Sequence, residues 1–195
     1  MLRGLKNLQS AGIVLGDLTE ASVHIWRGRA FLGGYDTGCI AHNGDRRFSC
    51  SRWDENRDGW IGSACRHAPE MFDGLPTGAS NSVWAVGLIF AEIALGYKPT
   101  ELPGPKTEEY DADDEGRRSI RELIREHFFI TRVEGFDKLL PCVQELLAGM
   151  LAKSPADRWT AAEALEKAQA VAESFDIEVP EEMALPGNHG FVETW

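Results

Sequence analysis

The feature that most constrains the fold is the segment of residues 82–96, which is apolar on nearly every side when read as a helix. A helix that is hydrophobic all round has to be enclosed by protein or by lipid. The longest apolar run within it, residues 83–95, is interrupted by Glu92 and is shorter than the roughly 20 residues that a bilayer span requires. The sequence therefore predicts a buried central helix around which the other elements pack.

Shorter apolar segments predict the elements around this helix. One stripe of leucines predicts an opening helix that ends at Ser10-Ala11-Gly12, and short runs at residues 13–15, 23–26 and 30–32 predict strands. Further helices are predicted over about residues 119–128, along an apolar stripe at 139–151, and after a capping box at 160–163. A few short strands followed by many helices indicate an α+β fold that is mostly α.

Polar segments divide the chain. Residues 39–67 lack periodicity and predict a long loop, a kind of segment that is usually functional. Residues 101–118 form an acidic stretch with prolines and glycine, and residues 176–195 are again acidic and interrupted by proline and glycine. We therefore expect one domain over residues 1–175, which carries an acidic insert at 101–118, followed by an acidic tail at 176–195.

The charge and the cysteines exclude several classes of protein. The 195 residues carry a net charge of −11, which disfavours binding to nucleic acid and to anionic membranes. The four cysteines have no spacing that indicates zinc, and they lie scattered as in proteins of reducing compartments. The first residues do not look like a signal peptide. We expect a cytoplasmic or nuclear protein that is not secreted.

Residues 8–23 carry the first resemblance to a known family, because they resemble the H-R-D-L-x-x-x-N catalytic loop of protein kinases. Asp17 stands at the family's Asp, which accepts the proton of the substrate hydroxyl, and Ser22 replaces the Asn that holds magnesium. Leu15 replaces the His, Gly16 the Arg, and Thr19 a nearby Lys. The residue most closely tied to proton transfer is thus present, whereas those around it differ.

A second partial motif follows at Asp36-Thr37-Gly38, which is similar to the family's D-F-G. The family's Asp binds magnesium, and its Phe packs to set the active arrangement. Asp36 and Ser22 would therefore be a remnant magnesium site, with Asp17 as a remnant catalytic residue. Threonine cannot fill the volume of an aromatic ring, which disfavours the active arrangement.

Two further motifs resemble parts of the kinase that support its fold. Ala68-Pro69-Glu70 is an intact A-P-E, and the resemblance pairs its Glu70 with Arg158 in a buried, structural ion pair. Residues 82–87 resemble D-V-W-x-x-G, with Ser82 in place of an Asp that binds the backbone of the catalytic loop. Because its side chain is shorter, Ser82 is expected to be a weaker acceptor.

The ordered motifs, from about Leu5 to Ala172, are similar to the C-terminal lobe of a Ser/Thr kinase-like domain, with short strands around the catalytic loop and a buried central helix. The sequence has no G-x-G-x-x-G loop and no V-A-I-K lysine, so the nucleotide-binding lobe of the family has no counterpart in it. The resemblance implies a truncated, degenerate pseudokinase that binds or regulates another protein, with a kinase or a kinase substrate as candidate partners. No cofactor is expected.

The alternative interpretation is an enzyme. Asp17, Asp36 and Gly38 would then serve a Ser/Thr protein kinase that uses Mg-ATP, with its N-lobe supplied by another chain or by upstream sequence. The plainer interpretation is that both carboxylates are loop residues inherited from an active ancestor.

Three local patterns leave alternatives open. Residues 54–61 match the start of an EF-hand calcium loop, but Cys65 stands where a bidentate Glu is needed, and a turn rich in Asp and Gly explains the pattern without calcium. Ser49, Ser51 and Ser63 are either phosphorylation sites or ordinary loop residues. Tryptophans that are not buried, such as Trp26, are candidate anchors for a partner.

Overall fold

A computed structural model describes residues 1–15, 18–27, 29–33, 38–40, 66–73, 78–100 and 123–177. Its longer helices are α1 (Leu2–Ser10), α2 (Ala79–Leu95), α3 (Pro141–Met150) and α4 (Ala161–Ser174). Its strands are β1 (Ile13–Leu15), β2 (Val23–Trp26), β3 (Arg29–Leu32) and β4 (Gly38–Ile40). Single turns of 3-10 helix cover Glu20–Ser22, Pro69–Asp73, Ile130–Arg132 and Phe136–Lys138, and a π-helical turn covers Leu123–His127. The predicted α+β, mostly α, class is confirmed.

Helix α2 is the buried central helix that its apolar composition predicts. It begins at Ala79, three residues before the predicted start, and ends where Gly96 takes a left-handed conformation with φ of 79°. There the Gly96 N–H donates to the Glu92 carbonyl at 2.8 Å. Glycine suits this position because it adopts positive φ without steric cost.

Two apolar clusters pack on α2. The first surrounds Trp84 and Leu88, and joins α2 to α3 and to the short helical turns between residues 123 and 138. The second surrounds Val83 and Val86, and joins α2 to α1, β1 and α4. Because adjacent helix positions feed both clusters, α2 needs an apolar side chain on almost every face, and this explains the pattern in its sequence.

The described strands form two antiparallel pairs, β1 with β4 and β2 with β3. Ile13 faces Ile40 and Leu15 faces Gly38 in the first pair, while Val23 faces Leu32 in the second. The prediction that residues 39–67 are loop throughout is wrong at Cys39 and Ile40, which belong to β4. A three-residue strand has too few positions for an alternating pattern, and its hydrogen bonds come from β1, far away in sequence.

The C-terminal helices begin as their sequence signals predict. Pro141 occupies the first turn of α3, and Thr160 caps α4, its hydroxyl accepting from the Glu163 N–H at 3.2 Å. The described part of the predicted helix at 119–128 is only the π-helical turn, which buries Ile124.

Two predicted segments fall mostly outside the description. The predicted insert lies outside the described residues, and so does the predicted tail after Ile177. Among the described helices, none has both the length and the apolar character needed to cross a membrane.

Candidate functional site

Glu70 and Arg158 form a buried ion pair between residues 88 positions apart in the sequence. Arg158 Nη1 donates to Glu70 Oε1 at 2.6 Å, and Nη2 donates to Oε2 at 2.9 Å. Two parallel bonds of this kind match the planar fork of the guanidinium to the carboxylate. The structure thus brings together the two residues that the motif spacing pairs.

The rest of the Arg158 guanidinium is bound to backbone carbonyls. Nε donates to Ala152, the second hydrogen of Nη1 to Ser80, and that of Nη2 to Lys153, at 2.9, 3.1 and 3.1 Å. An arginine has five N–H donors, so every one of them has an acceptor. The Arg158 site is therefore a complete hydrogen-bonded junction between α2, the Pro69–Asp73 turn and the segment before α4.

The first turn of α2 connects four separate segments through consecutive residues. The Ala79 carbonyl accepts from Gln9 of α1 at 3.0 Å, and the Ser80 carbonyl accepts from Arg158. The Asn81 side-chain oxygen accepts from the Ala68 N–H at 3.2 Å. This turn therefore fixes the position of α1 and of the Ala68-Pro69-Glu70 segment against the central helix.

Ser82, the fourth residue of that turn, binds the end of β1. Its hydroxyl is fully buried and donates to the Leu15 carbonyl at 3.0 Å. The sequence predicted a weak acceptor at this position, and the structure shows a donor. A hydroxyl can reverse its role where a carboxylate cannot, so the contact with the loop backbone persists with the opposite direction.

The residues that flank Asp17 are apolar and buried. Leu15 and Leu18 are both enclosed in the second core cluster, together with Leu5 of α1 and Val83 of α2. Gly16 and Asp17 lie outside the described residues. The loop is thus anchored on both sides by hydrophobic packing, and Leu15 contributes to the core where the motif would place an imidazole.

Ser22 closes a single 3-10 turn at Glu20–Ser22 and is only 7% exposed. Its hydroxyl accepts from the Thr19 N–H at 3.3 Å, and its own N–H donates to the Thr19 carbonyl at 3.0 Å. The hydroxyl and the N–H of Ser22 therefore serve the local turn, while its carbonyl accepts from the Gly33 N–H at 2.7 Å.

Comparison with protein families gives one match, to the family described as Protein kinase domain, over residues 1–168. The chain belongs to the protein kinase family. A comparison with curated protein sequences gives no significant match. The match confirms the resemblance to the protein kinase family, and the Ala68-Pro69-Glu70 segment and α2 lie within the matched residues.

Of the two residues at the family's magnesium-binding positions, Ser22 and Asp36, the structure describes Ser22, and its side chain is a poor ligand for a cation. The family uses an Asn side-chain oxygen at this position, whereas the neutral hydroxyl of Ser22 is buried and already accepts a hydrogen bond. Asp36 and Thr37 lie outside the described residues, and Gly38 enters only as the first residue of β4. Within the described ranges, no three residues among His, Cys, Asp and Glu come together as a metal site.

Arg66 forms a second buried charge cluster of the kinase domain, which the sequence motifs did not indicate. It is 3% exposed, and its Nη2 lies 2.5 Å from Glu20 Oε1 and 2.5 Å from Glu92 Oε1. Lys98 Nζ lies 2.6 Å from the same Glu20 oxygen. Neither terminal nitrogen of Arg66 makes a hydrogen bond of good geometry with a described residue, so the attraction is mainly between charges.

The two carboxyl groups of this cluster have pKa values shifted in opposite directions. Burial raises the pKa of Glu92, and the neighbouring Arg66 charge only partly offsets this effect. Burial also acts to raise the pKa of Glu20, but the hydrogen bond from Lys98 and the charges of Arg66 and Lys98 outweigh it, so the pKa is lowered. The hydrogen bond to Glu20 raises the pKa of Lys98. The surroundings therefore disfavour the charged form of Glu92 and favour that of Glu20.

Of the remaining predicted sites, the structure describes only Trp26. The calcium-like segment at 54–65 and the candidate phosphorylation sites Ser49, Ser51 and Ser63 lie outside the described residues. Trp26 is described, and it lies exposed at the end of β2.

Proposed function

We propose that this chain is a catalytically impaired member of the protein kinase family, a pseudokinase that acts through protein interaction or regulation. The observation that carries the proposal is the state of Ser22, which stands at the magnesium position. Its hydroxyl is buried and accepts from the Thr19 N–H at 3.3 Å. Phosphoryl transfer depends on positioned metal and charge, and a hydroxyl engaged in a local turn supplies neither.

The packing of Leu15 supports the same proposal. This side chain is fully enclosed in the core beside Leu18 and Val83, at the position where the motif has a histidine. Restoring an imidazole there would bury a polar ring in an apolar cluster, which costs free energy unless the ring is hydrogen-bonded. Leu15 therefore serves the packing of the core.

The structural junction at Arg158, in contrast, has all of its hydrogen bonds. Arg158 makes hydrogen bonds with all of its donors, and Glu70 receives two of them. A folded surface that has lost its metal-binding chemistry suits a protein whose role is to bind other proteins. We propose another protein as the partner, in the cytoplasm or nucleus, and no requirement for Mg-ATP.

Thermal unfolding with ATP and Mg²⁺, and with ATP and a chelator, tests this proposal. A ligand at a hundred times its Kd stabilises a protein by about 2.7 kcal/mol, and for a chain of this size each kcal/mol raises the Tm by roughly 2–4 °C. We expect equal Tm values in both solutions. A magnesium-dependent rise of several degrees would contradict the proposal.

The second candidate is a Ser/Thr protein kinase whose N-lobe comes from another chain or from upstream sequence. It is favoured by the retained Asp17 and Asp36 together with the intact segment around Glu70. In the assembled complex, Asp17→Asn would then abolish phosphoryl transfer, while Asp157→Asn, at an exposed position, would leave it unchanged. Equal activity of the two variants would eliminate this candidate.

A further inference from the structure

The hairpin of β2 and β3 presents an aromatic and basic face outside the clusters described so far. Trp26 pairs with Arg29, and His24 pairs with Phe31, so these four side chains share one face of the two-stranded sheet. On this face Trp26 is 52% exposed and Phe31 is 40% exposed. Exposed apolar groups that cluster in this way mark interaction sites more often than isolated ones do.

The aromatic side chains of this face are held in a fixed arrangement. The rings of Trp26 and Phe31 meet edge to face, with centroids 6.3 Å apart, and the Arg27 guanidinium lies 4.4 Å from the centroid of the Trp26 ring. Such contacts limit the rotation of the side chains before any partner binds, which reduces the entropy lost on binding. The face is preorganised.

Arg27 adopts a backbone conformation that disfavours arginine. Its φ is 48°, in the left-handed region that glycine and asparagine tolerate best, and it follows the last residue of β2 at the hairpin turn. The turn thus accepts a residue that suits it poorly, and this residue places a cation over Trp26. The turn geometry alone does not call for arginine.

The positive charge of the face has no compensating carboxylate among the described residues. No described ion pair joins Arg27 or Arg29 to an acidic group, and the described acidic residue nearest to them in sequence, Glu20, contacts Arg66 and Lys98 instead. This contrasts with a chain whose net charge is −11. The hairpin is therefore a local basic and aromatic surface on an acidic protein.

We propose that this hairpin face, defined by Trp26, Arg27, Arg29 and Phe31, binds an acidic segment of a partner protein in which apolar side chains alternate with carboxylates. In an extended segment, alternate side chains point the same way, so apolar groups would pack on the two rings while carboxylates on the flanks meet the two guanidinium groups. The Arg27 guanidinium, 4.4 Å from the centroid of the Trp26 ring, places one of these charges directly beside an apolar anchor. The inference rests on the proposed interaction role and names the chemistry of the partner.

Nucleic acid is the competing ligand class, since arginines and aromatic rings also bind phosphates and stack on bases. The net charge of −11 makes the approach of a polyanion unfavourable over the rest of the surface. A short acidic segment carries less charge and contacts only the hairpin, so the observations favour the peptide.

Fluorescence anisotropy with the full chain tests the proposal. The probe is a fluorescein-labelled synthetic peptide in which phenylalanine and leucine alternate with glutamate and aspartate. One control peptide carries lysine at every acidic position, and the other carries serine at every apolar position. We expect binding of the first peptide only, and weaker binding as the salt concentration rises, because the charged contacts are exposed.

Two variants connect the binding to the hairpin, and a third serves as a control. Trp26→Ala is expected to weaken binding at least about tenfold, as a central aromatic anchor does. Arg27→Asn is expected to weaken it about threefold or more, while the Tm stays equal or rises because asparagine suits positive φ. Ile93→Ser, at a side chain 74% exposed on α2, should change neither. A merely structural role for Arg27 cannot produce weaker binding with unchanged or higher stability.

Several outcomes would overturn the proposal. One is the absence of saturable binding of the acidic peptide, and another is equal binding by Trp26→Ala. Tighter binding of a labelled oligothymidine than of the peptide would assign the face to nucleic acid. Self-association of the chain that Trp26→Ala abolishes would make a second copy of the chain the occupant. None of these outcomes decides whether Mg-ATP binds. Conversely, a magnesium-dependent Tm shift alongside peptide binding would refute the pseudokinase proposal and leave the hairpin site in place.

Discussion

Two arginines that are buried among the described residues of this kinase domain stand in contrasting sites. Arg158 meets one carboxylate through two parallel hydrogen bonds and gives its other donors to backbone carbonyls. Arg66 places a single nitrogen against two carboxylates, one of which also contacts Lys98, and makes no hydrogen bond of good geometry with a described residue. One site is closed and saturated, whereas the other is a cluster of charges held by attraction.

The difference reflects what each site connects. Arg158 joins segments that lie deep in the fold, and its pair with Glu70 is buried on both sides. Arg66 joins the end of the catalytic loop, through Glu20, to the C-terminal part of α2, through Glu92, and Glu20 is 42% exposed. We infer that the first site determines whether the domain folds and that the second holds the start of the described segment 66–73 against α2.

The largest expected effect is that of Arg158→Ala. Removing the guanidinium leaves the Glu70 carboxylate buried without its partner, which typically costs about 3–5 kcal/mol. Urea unfolding followed by circular dichroism measures this loss. Lys167→Ala is the matched control, because Lys167 pairs with Glu145 on the surface and such pairs contribute about 0–1 kcal/mol. Losses of similar size in the two variants would show that the Arg158 site is not the structural junction inferred here.

Ser82→Ala is expected to have the next largest effect. It removes the only described hydrogen bond from the α2 side chains to β1 and leaves the buried Leu15 carbonyl without that donor, which costs about 1–3 kcal/mol. The same urea titration checks it. Ser80→Ala is the control in the same turn, because Ser80 binds Arg158 through its carbonyl and not through its side chain. If Ser80→Ala were the more damaging of the two, the assigned role of the Ser82 hydroxyl would be wrong.

Arg66→Met is expected to cost less than the roughly 3–5 kcal/mol of Arg158→Ala. Glu92 can respond by taking up a proton, since burial already raises its pKa, and Glu20 keeps its contact with Lys98. The methionine fills much of the volume that the arginine stem occupies. Equilibrium unfolding near neutral pH gives the comparison, and a loss as large as that of Arg158→Ala would abolish the distinction between the two sites.

The Arg158 site could be predicted from the sequence, and the Arg66 cluster could not. Glu70 and Arg158 each lie in a motif that resembles one of the kinase family, and that resemblance implied their pairing across 88 positions. Arg66, Glu20 and Glu92 share no local pattern, and charged residues at unrelated positions give no signal until the fold brings them together. Tertiary placement alone creates that cluster.

The same distinction applies to the fold. A local run of apolar residues predicted helix α2, and the Thr160–Glu163 capping box predicted the start of α4. Strand β4 was missed because its three residues depend on β1 for their hydrogen bonds. The direction of the Ser82 bond was also missed, since a hydroxyl both donates and accepts and only the position of the Leu15 carbonyl decides between the two.

The smallest expected effect is a difference in pH dependence between Glu92→Gln and Glu20→Gln. The pKa of Glu92 is raised in the folded state, so the folded protein binds more protons than the unfolded one above the ordinary value of 4.5, and stability falls as the pH rises through that window. The pKa of Glu20 is lowered, so its contribution is present above 4.5 and is lost as the pH falls below it.

Each variant should therefore flatten a different limb of the stability profile. Glu92→Gln should remove the decline on the side above pH 4.5 and leave stability near neutral pH equal or slightly higher, because a neutral amide is easier to bury than a carboxylate. Glu20→Gln should lower stability near neutral pH and remove the loss on the acid side. The measurement is the urea midpoint from pH 3.5 to 7.5, with Glu163→Gln as a control. The pKa of Glu163 is also lowered, but by the Thr160 capping bonds in α4, so this variant should act as Glu20→Gln does and leave the decline above pH 4.5 in place. If Glu92→Gln instead lowered stability near neutral pH and flattened the limb below pH 4.5, Arg66 would stabilise the Glu92 carboxylate more than burial destabilises it, and the cluster would resemble the Arg158 site after all.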